Sequence, residues 1–512
     1  MIKDVSLNLT PEEAFDETTI LKKASSQIGL SFKRVNGMKI ARKSIDARRK
    51  DIKINLLVKL FINEEVKSLY EETSFPLLSS SSPIAIVVGS GPCGLFSALT
   101  LIENNIRPIV LERGKDVHER KKDCALLASK GILNENSNYS YGEGGAGAYS
   151  DGKLFTRSVK RGDVKKVLSL FIQHGADENI IYEAHPHIGT DKLPIVIENI
   201  RKRIIASGGE VHFNTRVYSL LTKGEKIIGV KTESGEEYLG PVIVATGHSA
   251  KDIYKEFERK NIHLESKDTA VGVRVEHPQS LIDEMQYHIK GERSIYLPPA
   301  TYSFVTQVEN RGVYSFCMCP GGSVVPSTTE SGHQVVNGMS SSRRSGKFSN
   351  SAFVVQIREG DIPQKGVWSM LDWIESIERA SYRELYRAPS QRMTDFLNRR
   401  VSSSLPLSTY APGLLSEDLN SILPEIVSNS LSKGFLDFNR FSRGMFISNE
   451  ALMIASETRT SSPIRVVRND QFMAKEGLFV AGEGSGYAGG IVSAAIDGTE
   501  AAKALARKIW KS

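Results

Sequence analysis

The sequence lacks the features that mark several classes of protein. Its 512 residues include four cysteines, Cys93, Cys124, Cys317 and Cys319, too few and too scattered for a disulfide scaffold. No window approaches the roughly 18 uninterrupted apolar residues of a membrane-spanning helix, so no membrane association is expected. The first residues carry an acid where a secretory signal needs a basic start and an apolar run, and the expected location is cytoplasmic. A large excess of one charge is missing too. The 66 basic and 59 acidic side chains leave +7, which excludes a protein built mainly to neutralise phosphates. There is no Cys-x-x-Cys pair, and no metal-ligand spacing is apparent, His185-Pro186-His187 being isolated.

What is present is ordinary globular composition, with 40% hydrophobic and 24% charged residues and a mean hydropathy of −0.23. The length exceeds what one hydrophobic core usually supports, which implies at least two domains. Leu77-Leu-Ser-Ser-Ser-Ser-Pro83 reads as a linker. Residues 1–80 upstream of it read as a small α/β domain, with a helix near 18–28 and a strand near 54–62. Between Lys33 and Lys59 this domain holds ten Lys or Arg against two Asp. Such a patch fits an acidic partner, a nucleic acid, or a merely solvated face. No interleaved aromatics support base stacking.

From Ile84 the pattern becomes strand, glycine turn, helix, strand. Ile84-Ala-Ile-Val-Val88 is a continuous apolar run of the kind buried on both faces in a parallel sheet. It leads into Gly89-Ser90-Gly91-Pro92-Cys93-Gly94 and a helical stretch, and the next strand ends at Glu112 and Arg113. This is the dinucleotide fingerprint. Gly89 permits the tight turn, Gly91 the approach of a pyrophosphate and Gly94 close helix–sheet packing, while Glu112 stands at the spacing of the acid that binds a ribose diol. No second fingerprint follows a strand, so any NAD(P)H is expected to bind transiently in the substrate cleft.

Three further segments, Val242 to Gly247, Gly477 to Glu483 and Gly484 to Ala495, favour FAD. Val242 to Gly247 resembles the second flavin motif of the two-dinucleotide-binding-domain flavoproteins, and Gly477 to Glu483 their last motif. Together with Tyr141 to Leu154, Glu457 to Arg465 and Ala481 to Gly498, the whole chain resembles an uncharacterised bacterial family of FAD-dependent dehydrogenases within the glutathione-reductase-like superfamily. The resemblance implies bound FAD and names no substrate. It places Gly89, Ser90, Gly91, Pro92, Cys93, Gly94, Glu112, Arg113, Gly144, Gly145, Ser150, Gly152, Lys153, Val217, Thr246, Gly247, Gly482, Glu483, Gly489, Gly490 and Ile491 at the cofactor, with Glu483 on the ribityl chain. The helix opening at Ile491 would stabilise negative charge on the reduced ring.

Candidate catalytic residues are His248, an acid, a base or a hydrogen-bonding neighbour; Arg274, a substrate contact or an ion pair with Glu276; and Arg459, an anion site or a loop residue. Cys317 and Cys319 read as plain buried cysteines on opposite faces of a strand, since no helix N-terminus is evident to activate a thiol. The fold class expected is α/β: a Rossmann-like FAD domain from residues 83–250 and 441–512, an inserted α+β substrate domain over 251–440, and the small N-terminal domain. The expected activity is hydride transfer between an organic substrate and flavin N5. A flavin monooxygenase or halogenase, and a flavin-containing RNA- or protein-binding factor, are the alternatives.

Overall fold

The computed structural model describes residues 1–156 and 160–511; residues 157–159 and 512, inside the ranges assigned to the flavin domain, lie outside them. The continuous apolar runs form a six-stranded sheet, in the order Met473–Lys475, Leu478–Val480, Val242–Val244, Ile84–Val88, Arg107–Leu111, Glu210–His212. All its neighbours are parallel except the first pair. Val242, Ile243, Ile86, Val87 and Leu478 have no exposed surface, as expected for parallel strands covered on both faces. The helices Pro92–Glu103 and Ile491–Ile509 pack against each other beside this sheet. They meet so closely that a Cβ on Gly498 would lie 2.1 Å from the Cys93 carbonyl oxygen. A three-stranded meander, Val217–Lys223, Lys226–Thr232 and Glu237–Leu239, precedes Val242.

The second large sheet has seven strands and is mainly antiparallel. Its order is Val305–Val308, Arg311–Cys319, Phe348–Ile357, Thr269–Pro278, Leu452–Glu457, Ala388–Arg392, Leu414–Ser416. The helix Glu425–Phe441 covers it and brings Phe435 and Phe438 against Phe353 and Phe446. Leu452–Glu457, which the sequence division gives to the flavin domain, is an inner strand of this sheet. At the other end, the helix Lys251–Arg259 packs Ile253, Tyr254 and Phe257 among the flavin-side residues Val217 and Val480. The antiparallel region therefore runs from Thr269 to Glu457, later at both ends than 251–440.

The N-terminal unit is a three-stranded antiparallel sheet, Ile2–Leu9, Lys53–Phe61, Gly37–Asp46, under the helix Glu17–Gln27. Val5, Leu7, Ile54, Leu56 and Val58 belong to the same apolar cluster as Val271, Val273 and Val275 of the large sheet. Its edge strand also docks on the flavin region, where the Lys43 amide donates to the Tyr182 carbonyl and the Ala184 amide to the Lys43 carbonyl. Five of the ten basic residues are engaged in ion pairs: Lys39 with Glu178, Lys43 with Glu183, Arg48 with Asp46, Lys53 with Asp51 and Lys59 with Asp4. Among the described residues no helix is long and apolar enough to cross a membrane.

Candidate functional site

A cavity of about 380 Å³ opens at the C-terminal ends of the parallel strands and is closed on its far side by the antiparallel sheet. Ends of parallel strands are where open α/β sheets bind ligands. The glycine turn after Val88 forms one wall, and its three glycines are needed for different reasons. Gly89 has φ +102°, and a Cβ there would lie 2.6 Å from the Ala245 carbonyl oxygen. At Gly94 a Cβ would lie 1.9 Å from the Gly89 carbonyl oxygen. Gly91 differs: its φ is −72° and a Cβ would meet nothing nearer than Gly145 Cα at 3.8 Å. Neither strain nor protein packing requires glycine at 91, and the space a side chain would take belongs to the cavity.

The same holds further along this wall. Gly489 has nothing within 4 Å of a built Cβ, and Gly490, the uncapped N-cap of the helix Ile491–Ile509, meets only Ser493 Oγ at 4.0 Å. Two helices thus present unclaimed N–H groups to one cavity, the arrangement that holds anions.

Glu112 organises the glycine turn. Its Oε2 accepts from the Ser90 amide and hydroxyl, both at 2.8 Å, and its Oε1 from the amides of Gly114 at 2.9 Å and Gly142 at 3.1 Å. The carboxylate therefore clamps the glycine turn to the glycine-rich segment. The Gly144 amide adds a bond to the Ser90 carbonyl. Arg120, fully buried, braces the segment through the carbonyls of Asn138, Gly142 and Glu143. Arg113 lies over the Tyr141 ring and pairs with Asp252, which also holds Arg216.

Most residues chosen from the sequence converge here. Gly89, Gly91, Pro92, Cys93, Glu112, Arg113, Gly145, Ser150, Gly152, Lys153, Val217, Thr246, Gly247, His248, Arg459, Glu483, Gly489, Gly490 and Ile491 all line the cavity. Ser90, Gly94, Gly144 and Gly482 stand behind the wall as braces; the Gly482 amide donates to Asp497 Oδ2. Arg274 is also set back. Its expected pairing with Glu276 does not form, because Glu276 instead accepts from Thr409. Arg274 forks onto Glu457 at 2.7 Å and reaches Asn350 and Asn337. The strand pairing that brings Glu457 beside Arg274 is long-range and left no sequence signal.

The polar groups of the cavity divide by charge. The Glu483 carboxyl makes no hydrogen bond among the described residues, and burial, opposed by Lys267, pushes its pKa up to about 7. His248 Nδ1 lies 2.7 Å from Ser249 Oγ. Burial and then Arg459 lower its pKa to about 4, so the imidazole is neutral at physiological pH. Arg459 is fixed by Glu378 through Nε at 2.6 Å and Nη2 at 2.8 Å. Asp151, between Lys153 and Arg344, is held well below the usual carboxylate range by these two cations, against the effect of burial.

Sequence reasoning missed Tyr141, Asp151, Phe316, Cys317 and Asn337 at the cavity. Tyr141 and Asp151 stand inside a segment already quoted, Phe316 and Cys317 in the stretch Phe316 to Gly322 that the family resemblance also covers, and Asn337 in a strand with no motif. The expectation of opposite faces for Cys317 and Cys319 was a misreading, since residues i and i+2 share one side of a strand. No metal-ligand cluster was expected either, yet Glu330, His333 and Glu375 bring ligand atoms within 4.8 Å of one another. Glu375 is already bound through both oxygens by Lys251 and faces Arg379, charges that oppose a cation.

Residues 268–460 match the family model described as "FAD-dependent protein, C-terminal domain-like", and residues 1–61 match "Domain of unknown function (DUF8436)". Fold and site define a protein of the dinucleotide-binding α/β type, and the matched model over 268–460 is that of a FAD-dependent domain. An uncharacterised protein of Clostridium beijerinckii is 36% identical over 527 aligned residues, covering 98% of both chains. The chain belongs to the same family as this clostridial protein.

Among solved structures, the flavin-dependent brominase Bmp2 covers 84% of this chain and 79% of its own at 12% identity and a TM-score of 0.38. The tetracycline destructase Tet(51) covers 85% and 83% at 12% identity and 0.34. A geranylgeranyl bacteriochlorophyll reductase-like protein of Thermoplasma acidophilum covers 84% and 79% at 11% identity and 0.37. Overlays this loose carry no argument about chemistry.

Proposed function

We propose that the protein is a FAD-dependent oxidoreductase of glutathione-reductase-like organisation that exchanges hydride between a small organic substrate and the flavin. The observation that carries this reading is the set of cavity glycines, Gly91, Gly489 and Gly490, whose missing side chains leave room for something other than protein. The donor set fits FAD. The N–H groups after Gly91 suit a pyrophosphate, Glu112 a ribose diol, Glu483 a ribityl hydroxyl, and the helix N-terminus at Ile491 a ring that gains negative charge. Bound FAD supplies a two-electron acceptor and donor that no side chain can replace.

The chain's own residues do the rest. Phe316, from the antiparallel sheet, and Asn337, from the two-stranded ribbon of Gly322–Pro326 and Val336–Ser340, close the cavity against water. Arg459, oriented by Glu378, offers Nη1 to a carboxylate or phenolate of the substrate, a geometry a lysine would not hold. Neutral His248, steadied by Ser249, accepts or returns the proton that accompanies hydride transfer. NADH or NADPH would enter the same cavity as transient donor.

The test is purification with added FAD and anaerobic titration with NADH and NADPH. The reading expects a stoichiometric flavin spectrum that bleaches with one of the two, without consumption of oxygen into the substrate. A folded protein with no flavin spectrum overturns it, and oxygen incorporation into the product overturns the hydride assignment.

A further inference from the structure

The strand Arg311–Cys319 loses register with Phe348–Ile357 between Phe316 and Cys319. Within this bulge Cys317 has φ +49°, a region non-glycine residues seldom enter. Cys317 lines the cavity, while Cys319 is fully buried behind it. The Cys319 thiol approaches the Cys317 carbonyl at 3.3 Å, and Lys153 Nζ lies 3.9 Å from Cys319 Sγ. Arg274 Nη1 also donates to the Cys317 carbonyl at 3.3 Å.

The charged groups acting on the pair are Lys153, Arg274 and Asp151, the last already bound to Lys153 and Arg344, with Glu457 and Glu483 beyond. A hydrogen bond from Cys319, then Lys153 and Arg274, pull the Cys317 thiol down, against burial. The same bond and burial push Cys319 up. Cys93 and Cys124 are pushed up by burial, Cys124 to about 11. One thiol thus faces the cavity, and its neighbour is buried behind it beside Lys153. That asymmetry suits thiol–disulfide exchange.

We propose that Cys317 and Cys319 form a redox-active dithiol acting on low-molecular-weight disulfides that enter the cavity, with Cys317 as attacking thiolate and Cys319 as resolving thiol. Cys317 Sγ attacks one sulfur of the substrate, the substrate S–S bond breaks and one thiolate leaves. Cys319 then attacks Cys317 Sγ, giving its proton to the second sulfur, which leaves as a thiol. The pair loses two electrons and the substrate disulfide gains them, so no further reactant is needed. This activity goes beyond the FAD reading and does not rest on it.

Full-length protein treated near pH 7 with 2-hydroxyethyl disulfide and mapped by mass spectrometry tests the proposal. The wild type is expected to join Cys317 to Cys319, Cys319→Ser to accumulate a mixed disulfide on Cys317, and Cys317→Ser to react at neither position. In a parallel reading, Lys153→Met slows alkylation of Cys317 by iodoacetamide about tenfold near pH 7, with unchanged circular dichroism. An unmodified Cys317 in Cys319→Ser overturns the proposal. So does a stable mixed disulfide in the wild type, or labelling of Cys317 with the pH profile of an ordinary thiol.

Discussion

The two halves of the cavity are built by different means. On the parallel-sheet side the wall is backbone: Gly89, Gly91, Gly247, Gly489 and Gly490, each in a short stretch following a buried strand or opening a helix. On the antiparallel side the wall is side chains: Phe316 and Cys317 on a bulged strand, Asn337 held by Arg274, and Arg459 held by Glu378. Backbone walls suit a ligand that must be approached closely over its length. Side-chain walls give chemical variety at the reacting end.

That division predicts how each wall fails. On the backbone wall the effect falls on Gly94→Ala, where the new Cβ meets the Gly89 carbonyl at 1.9 Å and backbone must move. Overpacking of this kind costs about 1–3 kcal/mol or more, and both melting temperature and FAD content should drop. On the other wall, Arg274→Met leaves Glu457 buried without a partner, worth about 3–5 kcal/mol in denaturant unfolding. Glu457→Met added to it should recover much of that loss. An additive double variant would show that the pair is not a unit.

The titrating groups give smaller effects of opposite sign. His248, lowered from 6.5 to about 4, contributes stability that is full above about pH 6.5 and lost as pH falls through 4. Glu483, raised from 4.5 to about 7, contributes stability that is full below 4.5 and lost as pH rises through 7. In thermal melts of the FAD-free protein, His248→Gln should flatten the acid limb and Glu483→Gln the neutral one. Unchanged limbs would remove both groups from the account. Smallest of all are the docking pairs of the N-terminal unit. Lys39→Gln and Lys43→Gln should each cost under about 1 kcal/mol by urea unfolding, because the shared apolar core, and not the charge, holds that unit in place.

The same contrast decides what could be read from the sequence. The backbone wall was legible because its determinants are local: the spacing Gly89, Gly91, Gly94 and the acid Glu112 fall within one strand–turn–helix–strand unit. The side-chain wall was not. Glu457 reaches Arg274 only because two strands 183 residues apart pair with a bulge between Gly272 and Arg274. Cys317 reaches the cavity only through its bulge. The expected end of the inserted region at 440 failed to include Leu452–Glu457 because an apolar run has no mark of which sheet it joins. The basic stretch was visible as charge, but its pairing with Glu178 and Glu183 depends on docking of separate units.

The central claim, that Gly91, Gly489 and Gly490 are kept for FAD and not for the fold, is tested most directly by Gly91→Val. At that position the protein offers a Cβ 3.8 Å of room and an ordinary φ of −72°. FAD content and melting temperature of the FAD-free protein should be measured on the same preparation. The account predicts an unshifted melting temperature with FAD binding lost. A variant that binds FAD as the wild type does, or one that loses its fold before any cofactor is added, would contradict it.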